Sequence, residues 1–152
     1  MGTYRTIVVG TDGSESSFRA VKAAGELAGE TGATVVLACA YRPMPDREQA
    51  AAAEQLGDLA YKVAGATPAE DALRAAREHA MAGGAASVDE VAVVGDAVDV
   101  LVQVATERDA DLVVVGNRGL NSLAGRLLGS VPSTLTHRAH CDVLIVHTTS
   151  GR

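Results

Sequence analysis

Two stretches of this sequence carry residues suited to holding an anion. The longer reads Gly116-Asn-Arg118-Gly119-Leu-Asn-Ser-Leu-Ala-Gly-Arg126-Leu-Leu-Gly129-Ser130: a glycine, two residues, a glycine, nine residues, then Gly-Ser. Glycines let the backbone take positive φ and let N–H groups approach a phosphate with no Cβ in the way. Ser130 is expected to cap a following helix, whose N-terminus presents free donors and a partial positive charge. Each such helix end is worth about 0.3–1 kcal/mol per exposed charge, so several donors acting together can hold an anion without a lysine. The shorter stretch, Gly10-Thr11-Asp12-Gly13-Ser14, supplies a second small-residue turn and one carboxylate.

Both stretches follow short apolar runs, and the chain alternates such runs with amphipathic ones. Strands are expected at Thr6–Gly10, Thr34–Ala40, Glu90–Val94, Asp111–Val115 and Asp142–His147. A helix with Ser14 as N-cap is expected to end at Gly29 and Gly32. A second is expected to open with Thr67 as N-cap and Pro68 at its first position, to run to Met81 and to stop at Gly83-Gly84. A third carries Val98, Leu101, Val102 and Ala105, and a fourth spans Val131 to Ala139. Residues from Pro43 to about Gly65 read as a mobile loop passing into helix. Right-handed crossovers with one reversal of winding predict an α/β fold. It is an open doubly wound five-stranded parallel sheet, order 3-2-1-4-5, with helices on both faces. The reversal falls between the first and fourth strands, where ligands of such sheets bind. The two loops meet there.

The 152 residues fit one domain, 1–152, and 47% hydrophobic residues exclude global disorder. Aromatics are 3% and Trp is absent, so the core must be aliphatic. A net charge of −6 argues against nucleic acid or an anionic membrane as partner. No apolar run approaches the roughly 18 residues of a membrane span, and no signal peptide is read at the start, which makes the cytoplasm the expected compartment. Cys39 and Cys141 read as buried free thiols.

The spaced glycine motif and the opening Ile7-Val-Val-Gly-Thr-Asp-Gly-Ser14 resemble the universal stress proteins. The resemblance covers the whole chain and is loosest between Tyr41 and Ala66. It implies the fold of adenine-nucleotide alpha hydrolases and binding of ATP or a related adenine nucleotide, with Mg2+ where ATP is the ligand. By the same resemblance, Asp12 faces the adenine–ribose end, Ala40 forms part of the adenine wall, and Val115 and Gly116 flank the ribose. Gly119, Gly129, Ser130 and Val131 then surround the phosphates, and a homodimer, often through the last strand, is implied. Pro132 departs from the family pattern, which commonly has a small or hydroxyl residue there. It removes one N–H donor, and Ser133 is the expected compensation. AMP and cyclic AMP therefore stand beside ATP.

Simpler readings stay open at this stage. Asp12 can act only as a turn residue, Gly119 and Gly129 only as turn glycines, and Arg118 or Arg42 either as phosphate partners or as solvated charges. Arg126 reads as a surface charge. His137 and His140 can share a metal or complement a helix C-terminus, the second reading needing no third ligand. His79 and His147 read as ordinary surface or strand-end residues. No nucleophile–base arrangement and no lysine after the glycines points to catalysis. A regulatory binding module is the leading function, with a slow ATPase or a structural dimer with a vestigial pocket as alternatives.

Overall fold

Runs of Val, Ile and Leu that bury both faces of a strand set the architecture. The computed structural model describes residues 4–42, 67–117 and 130–148. Among these the elements follow as β1 Thr6–Gly10, α1 Glu15–Thr31, β2 Thr34–Tyr41, α2 Thr67–Gly83, β3 Ser87–Val94, α3 Ala97–Glu107, β4 Leu112–Gly116, α4 Ser130–Arg138 and β5 Asp142–Val146. The strands form one parallel sheet in the order β3-β2-β1-β4-β5. β1 lies directly against β4, with Ile7 opposite Leu112 and Val9 opposite Val114.

Alternation along the strands divides the core into two layers. Ile7, Val9, Val35, Leu37 and Val114 point to one face and pack with α1 and α2. Val8, Val36, Val113 and Val115 point to the other and pack with Val100, Leu101, Val104 and Leu135 of α3 and α4. The helices therefore change face when the winding reverses. No helix among the described residues is long and apolar enough to cross a membrane.

Several boundaries differ from the sequence expectation for identifiable reasons. α1 runs through Gly29 to Thr31, and Gly32 alone caps it, at φ +78° with its N–H on the Ala28 carbonyl at 2.8 Å. α2 already includes Thr67 and continues to Gly83, so Thr67 is not its cap. β3 begins three residues early, at Ser87, because it is an edge strand whose polar Asp89 and Glu90 can face water. Arg108 and Arg77 pair with these two acids at 2.9 and 2.6 Å. Asp111 precedes β4 and pins the start of β1, accepting N–H bonds from Arg5 and Thr6 at 3.0 and 2.9 Å. His79 is no plain surface residue: half-buried, it stacks on Phe18 with ring centroids 4.5 Å apart. The expected loop and helix between Pro43 and Gly65 lie outside the described residues.

α1 and α2 touch backbone to backbone. A Cβ on Gly25 would stand 2.2 Å from the Ala80 carbonyl oxygen, and one on Gly83 would stand 2.6 Å from that of Lys22. In an exposed helix, Gly to Ala stabilises by about 1 kcal/mol. Here Gly25→Ala is expected to destabilise by about 1–3 kcal/mol, because two helix backbones must separate. An unchanged or higher urea midpoint in that variant contradicts the close approach.

Candidate functional site

The two strands at the winding reversal, β1 and β4, and the edge strand β3 are each held at the carboxyl end by one further backbone bond. The Thr11 N–H donates to the Ala38 carbonyl at 3.0 Å, Gly95 to Tyr41 at 2.9 Å, and Asn117 to Val146 at 2.7 Å. The ladder thus runs one residue past β1, β3 and β4 before each chain turns away.

The turn after β1 is built by short-range side-chain bonds. Thr11 is fully buried; its hydroxyl accepts the Gly13 N–H at 3.1 Å and pairs with Ser17 Oγ at 2.8 Å. Gly13 sits at φ +85°, where a side chain would be strained and its Cβ would lie 3.1 Å from that of Ala72. Asp12 Oδ1 accepts the Ser14 N–H at 3.0 Å, an Asx-type turn. Ser14 then caps α1, accepting from the Ser17 N–H at 3.1 Å. Asp12 is thus a turn residue, yet it is exposed, and its carboxylate keeps acceptor capacity for a donor in front of it.

In front of it lies a cleft of about 290 Å3, lined by Thr11, Asp12, Ala40, Tyr41, Arg42, Gly95, Asp96 and Ala97. It opens over the carboxyl ends of β1, β2 and β3. Asp96 stands at the N-cap of α3 but makes no side-chain cap bond. Its carboxylate pairs instead with the Arg42 guanidinium across the cleft. Both partners are exposed, so the pair is weak and open to exchange with a ligand.

The structure brings Thr11, Asp12 and Ala40 together in this cleft, with Gly10 and Gly13 beside them in the chain. Val115 and Val131 are core residues, so what they offer a ligand is backbone. Gly116 is buried, and its glycine identity has a further cause: a Cβ there would lie 3.0 Å from Thr148 Cγ2. Ser133 is exposed in the first turn of α4, where the neighbouring Pro132 is buried. Ser130 opens that helix. Arg118, Gly119, Arg126 and Gly129 lie outside the described residues. His137 Nδ1 lies 3.1 Å from the Ser133 carbonyl within its own helix, and His140 lines a separate small pocket with Cys141. Among the described residues no group of three or more His, Cys, Asp or Glu is placed to hold a metal.

Sequence reasoning missed Gly95, Asp96 and Ala97, which form one wall. A signal was present: Val94-Gly95-Asp96 repeats, at the end of a strand, the glycine-then-polar turn of Val9-Gly10-Thr11 and Val115-Gly116-Asn117.

A model of the universal stress protein family matches residues 3–147. The universal stress protein Rv1636 of Mycobacterium tuberculosis (strain ATCC 25618 / H37Rv) is 52% identical over 149 residues, covering 98% of this chain and 100% of that protein. The crystal structure of a universal stress protein in complex with cAMP is similar at 45% identity and a TM-score of 0.76, covering 97% of this chain and 100% of its own. The universal stress protein from Archaeoglobus fulgidus in complex with dAMP shares the fold at a TM-score of 0.68. It is 23% identical and covers 95% of this chain and 99% of its own.

Both thiols are free; Cys39 is buried, as expected, whereas Cys141 is only half-buried. Cys39 precedes Ala40 in β2, and burial pushes its thiol up to about 11, with the Asp12 charge adding to the effect. An unfolded thiol ionises near 8.5–9, so above that pH the unfolded chain loses a proton that the folded chain keeps. The contribution is complete below about pH 9 and is lost as pH rises through about 11. Stability measured by urea unfolding is expected to fall by roughly 2 kcal/mol more between pH 8 and pH 11 in the wild type than in Cys39→Ala. Parallel pH profiles for the two proteins contradict a buried, protonated Cys39.

Proposed function

The chain belongs to the universal stress protein family, and on that premise we propose that it is a regulatory module that binds an adenine nucleotide, with cyclic AMP the ligand that suits it best. The observation that carries the reading is the cleft over β1, β2 and β3, where Thr11, Asp12 and Ala40 converge. About 290 Å3 is at the small end of ligand pockets, which run to about 300–1,000 Å3, and suits a nucleoside more than a whole triphosphate. Ala40 and Tyr41 supply an apolar wall for a base, and Asp12 an acceptor for a ribose hydroxyl or an exocyclic amine. The cAMP complex of a universal stress protein at 45% identity supports the same class of ligand.

In this reading Val115 and Gly116 flank the ribose by their backbone. Gly119, Gly129, Ser130 and Val131 give amides to the phosphate, and Arg118 and Ser133 lie at its margin. ATP with Mg2+ and AMP are the neighbouring ligands of the same site. The protein acts in the cytoplasm, away from nucleic acid and membrane. It pairs with a second copy through β5, the sheet edge where Leu144 is 39% exposed, whereas the β3 edge carries ion-paired acids.

Asp12→Ala is expected to weaken cAMP binding in calorimetric titration by about 1–3 kcal/mol, with the fold retained. Equal affinities leave Asp12 a turn residue only. Gly119→Val is expected to abolish binding, since a branched Cβ would occupy phosphate space; unchanged affinity removes the glycine-rich segment from the site. ATP turnover clearly above that of Gly119→Val would mark an enzyme instead. Leu144→Lys is expected to shift sedimentation from dimer to monomer, and a wild type that sediments as a monomer contradicts the pairing.

A further inference from the structure

Two hydroxyls are buried beneath the turn that follows β1. Thr11 is fully buried and Ser17, in the first turn of α1, is 4% exposed. Ser17 bonds both ends of the turn. Its hydroxyl donates to the Ser14 carbonyl at 2.9 Å, and its N–H donates to Ser14 Oγ at 3.1 Å. On its other side Ser17 Oγ lies 2.8 Å from the Thr11 hydroxyl, whose oxygen also accepts the Gly13 N–H at 3.1 Å. Asp12 stands between these anchors in the chain, exposed, with Oδ1 on the Ser14 N–H at 3.0 Å.

What each atom can do fixes the proton order. A carbonyl only accepts, so the Ser17 hydroxyl gives its one proton to Ser14. Thr11 must then donate its own proton to Ser17 Oγ. The result is a directed chain, Thr11 to Ser17 to Ser14, of the kind in which each bond strengthens the next. Capping α1 needs only the Ser14 side chain; the Thr11–Ser17 bond goes further and ties the helix back to the exit of β1. Thr11 lines the cleft, yet its hydroxyl proton is committed inward and is not available to a ligand. The turn takes up only Oδ1 of Asp12 and leaves the other oxygen to whatever enters the cleft that Asp12 lines.

We propose that Ser17 is a positioning residue for the nucleotide site: through Thr11 and Ser14 it clamps both ends of the turn and so sets where the Asp12 carboxylate stands in the cleft. This rests on the reading that the cleft over β1, β2 and β3 takes the adenine–ribose end of the ligand and that Asp12 accepts from it. Ser17 itself is buried and touches no ligand. It acts through the one acidic side chain that the β1 turn delivers to the cleft.

An ordinary helix residue would stabilise the fold without acting through Asp12, which gives the test. Ser17→Ala keeps the N–H that bonds the Ser14 cap and removes only the hydroxyl. In calorimetric titrations of fully folded protein with cAMP it is expected to weaken binding about three- to tenfold, one hydrogen bond's worth. In an Asp12→Ala background the same change is expected to stay within about twofold, since no carboxylate remains to be misplaced. Thr11→Val cuts the same bond and is expected to repeat both results, which serves if Ser17→Ala does not fold. Thr11→Ser keeps the hydroxyl and is expected to hold wild-type affinity within about twofold. Equal losses in the two backgrounds, or no loss in the first, overturn the proposal. A wild type that binds no cAMP refutes the nucleotide reading itself. The positioning claim is then decided by amide exchange in the ligand-free protein at Ser14, whose N–H rests on the Asp12 carboxylate. That rate is expected to rise about tenfold in Ser17→Ala while the Ala24 amide, further along α1, keeps its own. An unchanged Ser14 rate, or one that rises together with that of Ala24, overturns it.

Discussion

The parallel pairing of β1 with β4 is the constraint on which the rest depends. Winding outward from β1 through β2 to β3 puts α1 and α2 on one face, and returning to β4 on the other side of β1 puts α3 and α4 on the opposite face. The helix after β1 and the helix before β5 therefore diverge to opposite faces, the arrangement in which such sheets open a crevice at the strands' carboxyl ends. Everything at the site follows from that divergence. The extra ladder bonds of Thr11, Gly95 and Asn117 hold the strand exits in place, and Thr148, just past β5, links Asn117 to Ser16 of α1.

Close helix packing on one face supports that geometry. α1 and α2 meet backbone to backbone at Gly25, Gly83 and Ala80, with the stack of Phe18 on His79 beside them. The other side of α1 packs on the sheet beneath it, and its first turn is held by the Ser14 cap. Ser16 in that turn and Arg19 just after it reach Thr148 from α1. A core of Val and Ala, nearly without aromatic rings, is consistent with this: it lets both layers pack thinly on the sheet.

Much of this was legible in the residues. Strand order follows from the alternation of apolar runs and from crossover handedness, and the sheet matches it. Ser14 as a cap and the Asp12–Gly13 turn follow from local side-chain chemistry, and both are as expected. What local pattern does not reveal is long-range contact. Gly29 looks like a helix terminator in sequence, but it lies in the helix and faces Gly84, just past α2, whose carbonyl oxygen an added Cβ would meet at 2.9 Å. His79 looks like a surface residue, but Phe18 of another helix stacks on it. Asp96 has the type and position of an N-cap, yet its carboxylate is drawn across the cleft by Arg42, just past β2 and more than fifty residues earlier. The wall formed by Gly95 to Ala97 was missed for the same reason: its partners are distant in the chain.

The electrostatics of the site bear on which anion it can hold. The chain carries a net charge of −6, so the overall field opposes an anionic ligand. Arg42, at the cleft, is engaged by Asp96, and Arg19, near the switch point, is engaged by the Thr148 carbonyl. In the proposed reading, attraction then rests on backbone donors and on Arg118, and Pro132 removes one of those donors from the first turn of α4. A cyclic monophosphate carries a single negative charge and needs few donors. A triphosphate carries several and meets the opposing field with each. Under the proposed reading, an acidic domain holding its ligand largely by main-chain amides discriminates against charge itself, more strongly at low salt, where the field of its carboxylates reaches further.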